Sequence, residues 1–173
     1  TSNCQIERAM KRAGITDPGD LSLRMGDSLF PVEIDVALDF QREDIYALNE
    51  LAKAVDKLSN DDRMKLGVVV GMARPENANQ ICRLAENLDL FEFAPGAHTP
   101  AEYGKFMIQQ SGHFNYDPTL DEFYDYERYG RQHMDSGTGM FTDRGYIAYI
   151  GTESLEELMG ENQEQMQGVM DMQ

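Results

Sequence analysis

Basic residues and cysteines are what this sequence is short of. Fifteen Lys and Arg stand against 31 Asp and Glu, a net charge of −16, where a small soluble domain ordinarily carries a magnitude of about 2 to 8. A field of that sign repels nucleic acid and anionic membranes and attracts basic surfaces. The few Lys and Arg are too dispersed to form a nucleic-acid footprint, so no direct nucleic-acid contact is expected. Cys4 and Cys82 are the only cysteines, too few and too far apart for a disulfide framework or a zinc site. They read as buried or idle thiols in a reducing cytoplasm. No apolar run approaches the roughly 20 residues that cross a bilayer, and no basic-then-apolar signal segment opens the sequence. A cytoplasmic protein without membrane contact is expected, and Thr1 at the start reads as a chain trimmed or cut from something longer.

Catalytic signatures are missing as well. The sequence holds no GxSxG, no P-loop and no GxGxxG. His98, His113 and His133 lack the HxxxH or HxH spacing of metal ligands and have no cysteine beside them, so they read as surface or helix-end histidines. No metal or other cofactor is expected, and nothing supports an enzyme.

What is present is enough apolar material for a core: 41% of 173 residues, near the globular norm. Ile6, Ala9, Met10 and Ala13 recur at helical spacing over 3–13, with Gly14 as a stop. Residues 15–29 read as turns. The alternation of Val32, Ile34 and Val36 predicts a strand within 30–40. A helix over 44–58 carries the stripe Ile45, Leu48, Leu51, Ala52, Val55 and Leu58. Asn60 is expected to cap a second helix reaching about Met72, and Pro75 to open a third with Ile81, Leu84 and Leu88 inward. A short strand is expected over 89–94. Thr99 and Glu102 form a capping-box pattern around Pro100, predicting a helix over 100–110. Asp117-Pro118 repeats that entry and predicts a helical segment through about Gln132. The arms of GMFTDRGYIAYIG (139–151) predict a hairpin about a TDRG turn. The fold class is α+β, mostly helical with short strands and a C-terminal β-hairpin.

The negative charge is unevenly spread. Residues 94–127 carry −5 with Lys105 as their only base, and residues 152–173 carry −6 with no base at all. The densest stretch is DPTLDEFYDYERYGRQ (117–132), with five carboxylates and three tyrosines. On one helix Asp117, Asp121 and Asp125 would share a face about 6 Å apart, with Glu122 and Glu127 beside them. That spacing is about as coarse as phosphates along a DNA strand, one per ~3.4 Å of axis. Phe123, Tyr126 and Tyr129 would anchor the opposite face. A solvated helix face accounts for such a row, and so does imitation of DNA. A general acid/base pair also fits on distance, although nothing marks one acid as buried. A calcium loop fails because no glycine turn lies inside the stretch before Gly130.

FYDYERYGRQ (123–132) followed by SGTGMFTDRGYIAYIG (136–151) resembles the C-terminal domain of the ArdA antirestriction family, where an acid-rich Y-I-D-Y-x-x-Y-G-R-D segment precedes a short terminal hairpin. DIYALNELAKAVDKLSNDDRMKL (44–66) resembles the middle region of that family. The resemblance covers about residues 40–151, with Tyr126, Tyr129, Gly130 and Arg131 as its most specific motif residues. It implies an elongated, acidic homodimer that mimics B-form DNA and occupies the DNA-binding site of a type I restriction-modification enzyme. The phosphate-mimicking carboxylates would then be Asp117, Asp121, Glu122, Asp125 and Glu127, joined by Glu153, Glu156 and Glu157. The domains expected are an N-terminal segment with a helical domain (1–93), an acidic C-terminal domain (94–151) and an acidic, partly disordered tail (152–173).

Overall fold

The computed structural model describes residues 1–23, 26–134 and 138–160. The expected partial disorder of the tail, from residue 161 onward, lies outside the described residues. The architecture is α+β and mostly helical, with one three-stranded antiparallel sheet.

Helix α1 (Asn3–Ala13) ends where Gly14 takes the left-handed conformation at φ 74°, a C-terminal stop that glycine adopts without strain. The expected strand over 30–40 is instead helix α2 (Val32–Ala37). Its alternating valines are not a buried face: Val32 and Val36 are 58% and 81% exposed, while Ile34 and Leu38, four apart, are buried. The apolar pair that reaches the core has helical spacing, and Pro31 precedes the first turn. Tertiary packing therefore overrides the β-propensity of the valines.

Helix α3 (Ile45–Asp56) starts at Asp44, whose carboxylate accepts from the amides of Tyr46 and Ala47. Leu51 and Val55 are buried as the stripe predicts, but Ala52 is exposed and Ala54 packs in its place. Helix α4 (Asn60–Ala73) is capped by Ser59, not Asn60: the Ser59 hydroxyl accepts from the Asp62 amide. The run Leu66–Val70 is buried all round, which makes α4 the central helix of the larger core. Helix α5 (Ala78–Glu86) begins three residues after Pro75, because Asn77 supplies the cap by accepting from the Gln80 amide. Ile81, Leu84 and Leu88 point inward as expected.

Strand β1 (Phe91–Pro95), helix α6 (Pro100–Gln109), helix α7 (Tyr126–Met134), strands β2 (Thr138–Thr142) and β3 (Gly145–Tyr149), and helix α8 (Leu155–Met159) complete the order. The hairpin forms about Asp143-Arg144, with Phe141 opposite Tyr146. Strand β3 lies in the middle of the sheet, with Phe91 opposite Tyr149 on one side and Thr138 opposite Tyr149 on the other.

Two apolar clusters meet at this sheet. The larger gathers α2 to α5, Phe91, Ile147, Tyr149 and Met159. The smaller gathers Ala94, Ala97, Tyr103, Met107, Tyr146 and Ala148. Strand β1 serves both, so it spans residue 93, where the sequence suggests a boundary. Arg144 at the hairpin turn also reaches Glu33 of α2 at 2.9 Å. Among the described residues no helix is long and apolar enough to cross a membrane. Both cysteines are free, and burial together with Glu86 and Glu50 pushes the Cys82 thiol up to about 11.

The closest helix contact is between α6 and α7. An added Cβ on Gly104 would fall on the carbonyl oxygen of Tyr126, and one on Gly130 on that of Pro100, both far inside contact distance. The backbones touch because neither residue has a side chain. Gly104→Ala or Gly130→Ala should therefore destabilise by about 1–3 kcal/mol or more, the range for overpacking. Gly71 is also helical, but its added Cβ would meet nothing within 4 Å, so Gly71→Ala should stabilise by about 0.4–1 kcal/mol. Urea unfolding of the three variants checks this, and a neutral Gly130→Ala would contradict the contact.

Candidate functional site

The acidic segment does not form one helix. Residues Pro118–Phe123 make a 3-10 turn, the chain extends through Tyr124, and α7 starts at Tyr126. A 3-10 turn has three residues per turn, so the expected common face of Asp117, Asp121 and Asp125 is lost. The break follows from the acids themselves, since Asp117 and Asp125 each begin an element and Asp121 ties the turn between them to its neighbours.

Asp117 caps the 3-10 turn: its Oδ1 accepts from the Thr119 amide at 2.9 Å and the Thr119 hydroxyl at 2.8 Å. Those donors hold its carboxyl below the usual aspartate range. Asp125 does the same for α7, accepting from the Arg128 amide at 3.0 Å through Oδ1. Asp121 is a hub. Its Oδ1 accepts from the Tyr116 hydroxyl at 2.6 Å, the Tyr126 hydroxyl at 2.5 Å and the Gln109 amide at 2.9 Å. The Tyr116 and Tyr126 hydroxyls lower its pKa, and Asp121 in turn raises theirs; for Tyr126 loss of solvent is the larger cause. Because Gln109 ends α6 and Tyr126 opens α7, this hub latches the 3-10 turn onto the glycine-packed helix pair. Tyr124 stacks on Tyr126 with ring centroids 5.8 Å apart.

Glu122 is exposed. Glu127 accepts from Arg131 at 2.7 and 3.0 Å through Oε1, a surface pair of small energetic weight. Glu157 accepts from the Ser154 amide at 2.8 Å in a full capping box, and those bonds lower its pKa. Glu153 and Glu156 lie elsewhere, lining a cleft with Glu92 at the end of the sheet. The structure thus places Asp117, Asp121, Asp125 and Glu127 together and separates Glu153, Glu156 and Glu157 from them in the fold's connectivity.

Of the motif residues, Tyr126 serves Asp121, Gly130 makes the contact with Gly104, and Arg131 pairs with Glu127. Tyr129 packs edge-on against Phe114 at 5.5 Å and against His133 at 4.4 Å. Phe123 is a correction: it is 76% exposed and anchors nothing, as Leu120 at 46% also shows for this turn. Thr99 accepts from the Glu102 amide, but Glu102 returns its bond to His98, one residue earlier than a capping box requires. Sequence reasoning missed Tyr116, whose only signal was its place beside Asp117, and Gln109, which lies twelve residues from Asp121 and carried no signal.

Among the described residues no group of three His, Cys, Asp or Glu could hold a metal ion. No protein-family model and no curated protein matches the chain.

The hub has a pH signature. Asp121's folded pKa lies below 3.8, the ordinary aspartate value. Its contribution to stability is therefore complete above the unfolded value and is lost as pH falls through the folded one. Side-chain carboxyl NMR titration should place the Asp121 midpoint below 3.8, and Tyr116→Phe or Tyr126→Phe should move it upward. An unmoved midpoint in both variants would break the hub assignment.

Proposed function

We propose that the protein is a cytoplasmic DNA-mimic antirestriction protein, non-enzymatic, which occupies the DNA-binding site of a type I restriction-modification enzyme. The observation that supports it best is how the acids are held. Asp117, Asp121 and Asp125 each give Oδ1 to the fold, and Glu127 gives Oε1; the second oxygen of each takes no part in these bonds. A phosphate is an anion fixed in place and always charged. A carboxylate pinned by one oxygen, and for Asp117 and Asp121 with a lowered pKa, approaches that condition better than a freely rotating one. With −16 of net charge, the molecule suits a groove lined by Lys and Arg.

The active form is proposed to be an elongated two-fold homodimer assembled through the region after residue 94. Strand β2 supports this. It is an edge strand with Met140 and Phe141 46% and 36% exposed, and an apolar edge of this kind invites pairing. A second reading, an acidic interaction module of a larger mobile-element protein, draws on Leu120 and Phe123, exposed apolar groups within the acidic turn that a DNA backbone would not present.

Titration into a type I restriction assay on unmodified DNA separates the two readings, because only the first predicts protection. Glu122→Gln or Glu127→Gln alone should weaken inhibition slightly, and the combined change with Asp117→Asn and Asp125→Asn severely, since one extended field is shared. Inhibition should also fall as salt shortens screening to about 8–10 Å. A single variant as inactive as the combined one would point to an individual essential group and against mimicry. Light scattering should give a dimer that Met140→Glu dissociates; a monomer in the unaltered protein would count against the assembly.

A further inference from the structure

The acidic turn carries an apolar feature that its carboxylates do not explain. Pro118–Phe123 is 3-10 helix, in which side chains three residues apart eclipse, about 6 Å along the axis. Leu120 and Phe123 have that spacing, so they form one apolar edge, 46% and 76% exposed. Single exposed apolar groups are ordinary; a pair stacked on one turn amid five carboxylates is a patterned surface. The turn is also held in place. Asp117 caps its start, the Asp121 hub ties it to α6 and α7, and the Tyr124 ring packs against those of Tyr116 and Tyr126. Groups presented on a fixed element lose less freedom on binding than groups on a loose loop.

The charge around the pair selects what can cover it. Residues 106–127 contain five Asp and Glu and no Lys or Arg. The bases nearby are few: Lys105 reaches Asp121 with its charge, Arg128 follows in α7, and Arg131 is paired with Glu127. Glu122 is exposed and, among the described residues, forms no ion pair. Such a field repels nucleic acid and anionic lipid. A second copy brought face to face would set these carboxylates against their own equivalents. What fits is an apolar surface flanked by Lys and Arg. On an amphipathic helix the apolar residues at i, i+3 and i+4 sit about 5–6 Å apart, which matches the separation of Leu120 and Phe123.

We propose that the turn Pro118–Phe123 is a docking surface for a basic amphipathic helix of a partner protein. Leu120 and Phe123 seat between side chains of its apolar face, the packing by which amphipathic helices are commonly recognised. Its flanking Lys and Arg meet the surrounding carboxylates, Glu122 first. The apolar pair supplies the affinity, and the acids set orientation and speed of encounter. The proposal rests on the second reading above, an acidic interaction module, and names the kind of partner that module takes.

The protein has no tryptophan, so a single tryptophan on a probe peptide reports binding by its emission. The probe is a synthetic helix of about 18 residues with leucine on one face and lysine on the other. Two controls replace its leucines by serine or its lysines by glutamate. Saturable binding of the leucine–lysine peptide, with a blue shift of its tryptophan, and of neither control supports the surface. Leu120→Ser with Phe123→Ser should weaken binding at least about tenfold, as loss of central apolar anchors does. Glu122→Gln should weaken it about two- to threefold and lessen its salt dependence. Both apolar residues are exposed, so the double variant keeps the fold, as its urea midpoint will show. Equal affinity in the double variant, a serine control bound as tightly, or no saturable binding would overturn the proposal. So would a lower mass of the double variant in light scattering, which would make a second copy the occupant. The restriction assay judges the module reading on its own: protection of unmodified DNA ends that reading even where the peptide binds, and an unbound peptide without protection ends only the choice of partner.

Discussion

Five consecutive residues, Gly145–Tyr149, are buried, and the molecule is organised around them. A strand buried on both faces must serve two cores, and the period-two alternation of β-structure divides its side chains accordingly. Ile147 and Tyr149 go to the helical cluster, Tyr146 and Ala148 to the α6 cluster. The same strand pairs with β1 and β2. Gly145 begins it at φ 138°, where an added Cβ would fall on the carbonyl oxygen of Ala94. Together with β1 this strand gives the helices from α2 to α5 and the cluster on α6 a common surface. The Arg144–Glu33 pair then closes the hairpin turn against α2 from outside.

The glycine contact of α6 and α7 has a different consequence. With backbones touching at Gly104 and Gly130, little room remains at the crossing for side chains to hold the preceding turn. The turn is held by polar groups at the helix ends instead, Gln109 and Tyr126 with Asp121 and Tyr116. That explains why tyrosines accompany the acids: Tyr116 and Tyr126 donate hydroxyls to Asp121, the Tyr124 ring packs against both of theirs, and of the turn's aromatics Phe123 is left outside. A solvated acidic face alone would have needed no hydroxyl donors.

Much of this was legible in advance. Long stripes and caps located α1, α3, α4, α6 and the hairpin, because each is specified by neighbours within a few residues. The errors came where a distant partner decides. Val32 and Val36 have strand propensity, but only the packing of Ile34 and Leu38 on α4 selects the helix. Pro75 is a permissible helix start, yet the side chain of Asn77 finds the amide of Gln80 first. Asp117, Asp121 and Asp125 have helical spacing, yet a cap, a hub and a second cap break it. Gly104 reads in sequence merely as a weak helix former, since nothing local reveals that Gly130 lies against it. The cleft at the end of the sheet was invisible for the same reason: Glu92, Tyr103, Tyr149 and Glu156 come from four separated elements. Of the acids singled out beforehand, Glu153 and Glu156 belong to that cleft and not to the acidic segment.

A chain this acidic must tolerate its own charge, and the positions of the acids show how. Helix N-termini carry partial positive charge, and an acid in the first turn or cap gains about 0.3–1 kcal/mol. Asp44, Asp61, Asp62, Asp117, Glu127, Glu156 and Glu157 all stand at such sites. The few bases complete the pattern from the other end, with Lys11, Arg12, Lys53, Arg83 and Arg131 in last turns. Each helix dipole thus offsets part of the repulsion that −16 would otherwise impose, and it does so locally, where screening is least effective. The surplus is therefore built into the secondary structure and not spread over an indifferent surface. It follows that charge and fold are coupled here: replacing Asp117, Asp121 or Asp125 by Asn removes a field element and turns a charge-assisted bond into a weaker neutral one. Glu122, exposed and outside these caps, is the acid whose removal changes the field with least disturbance to the fold.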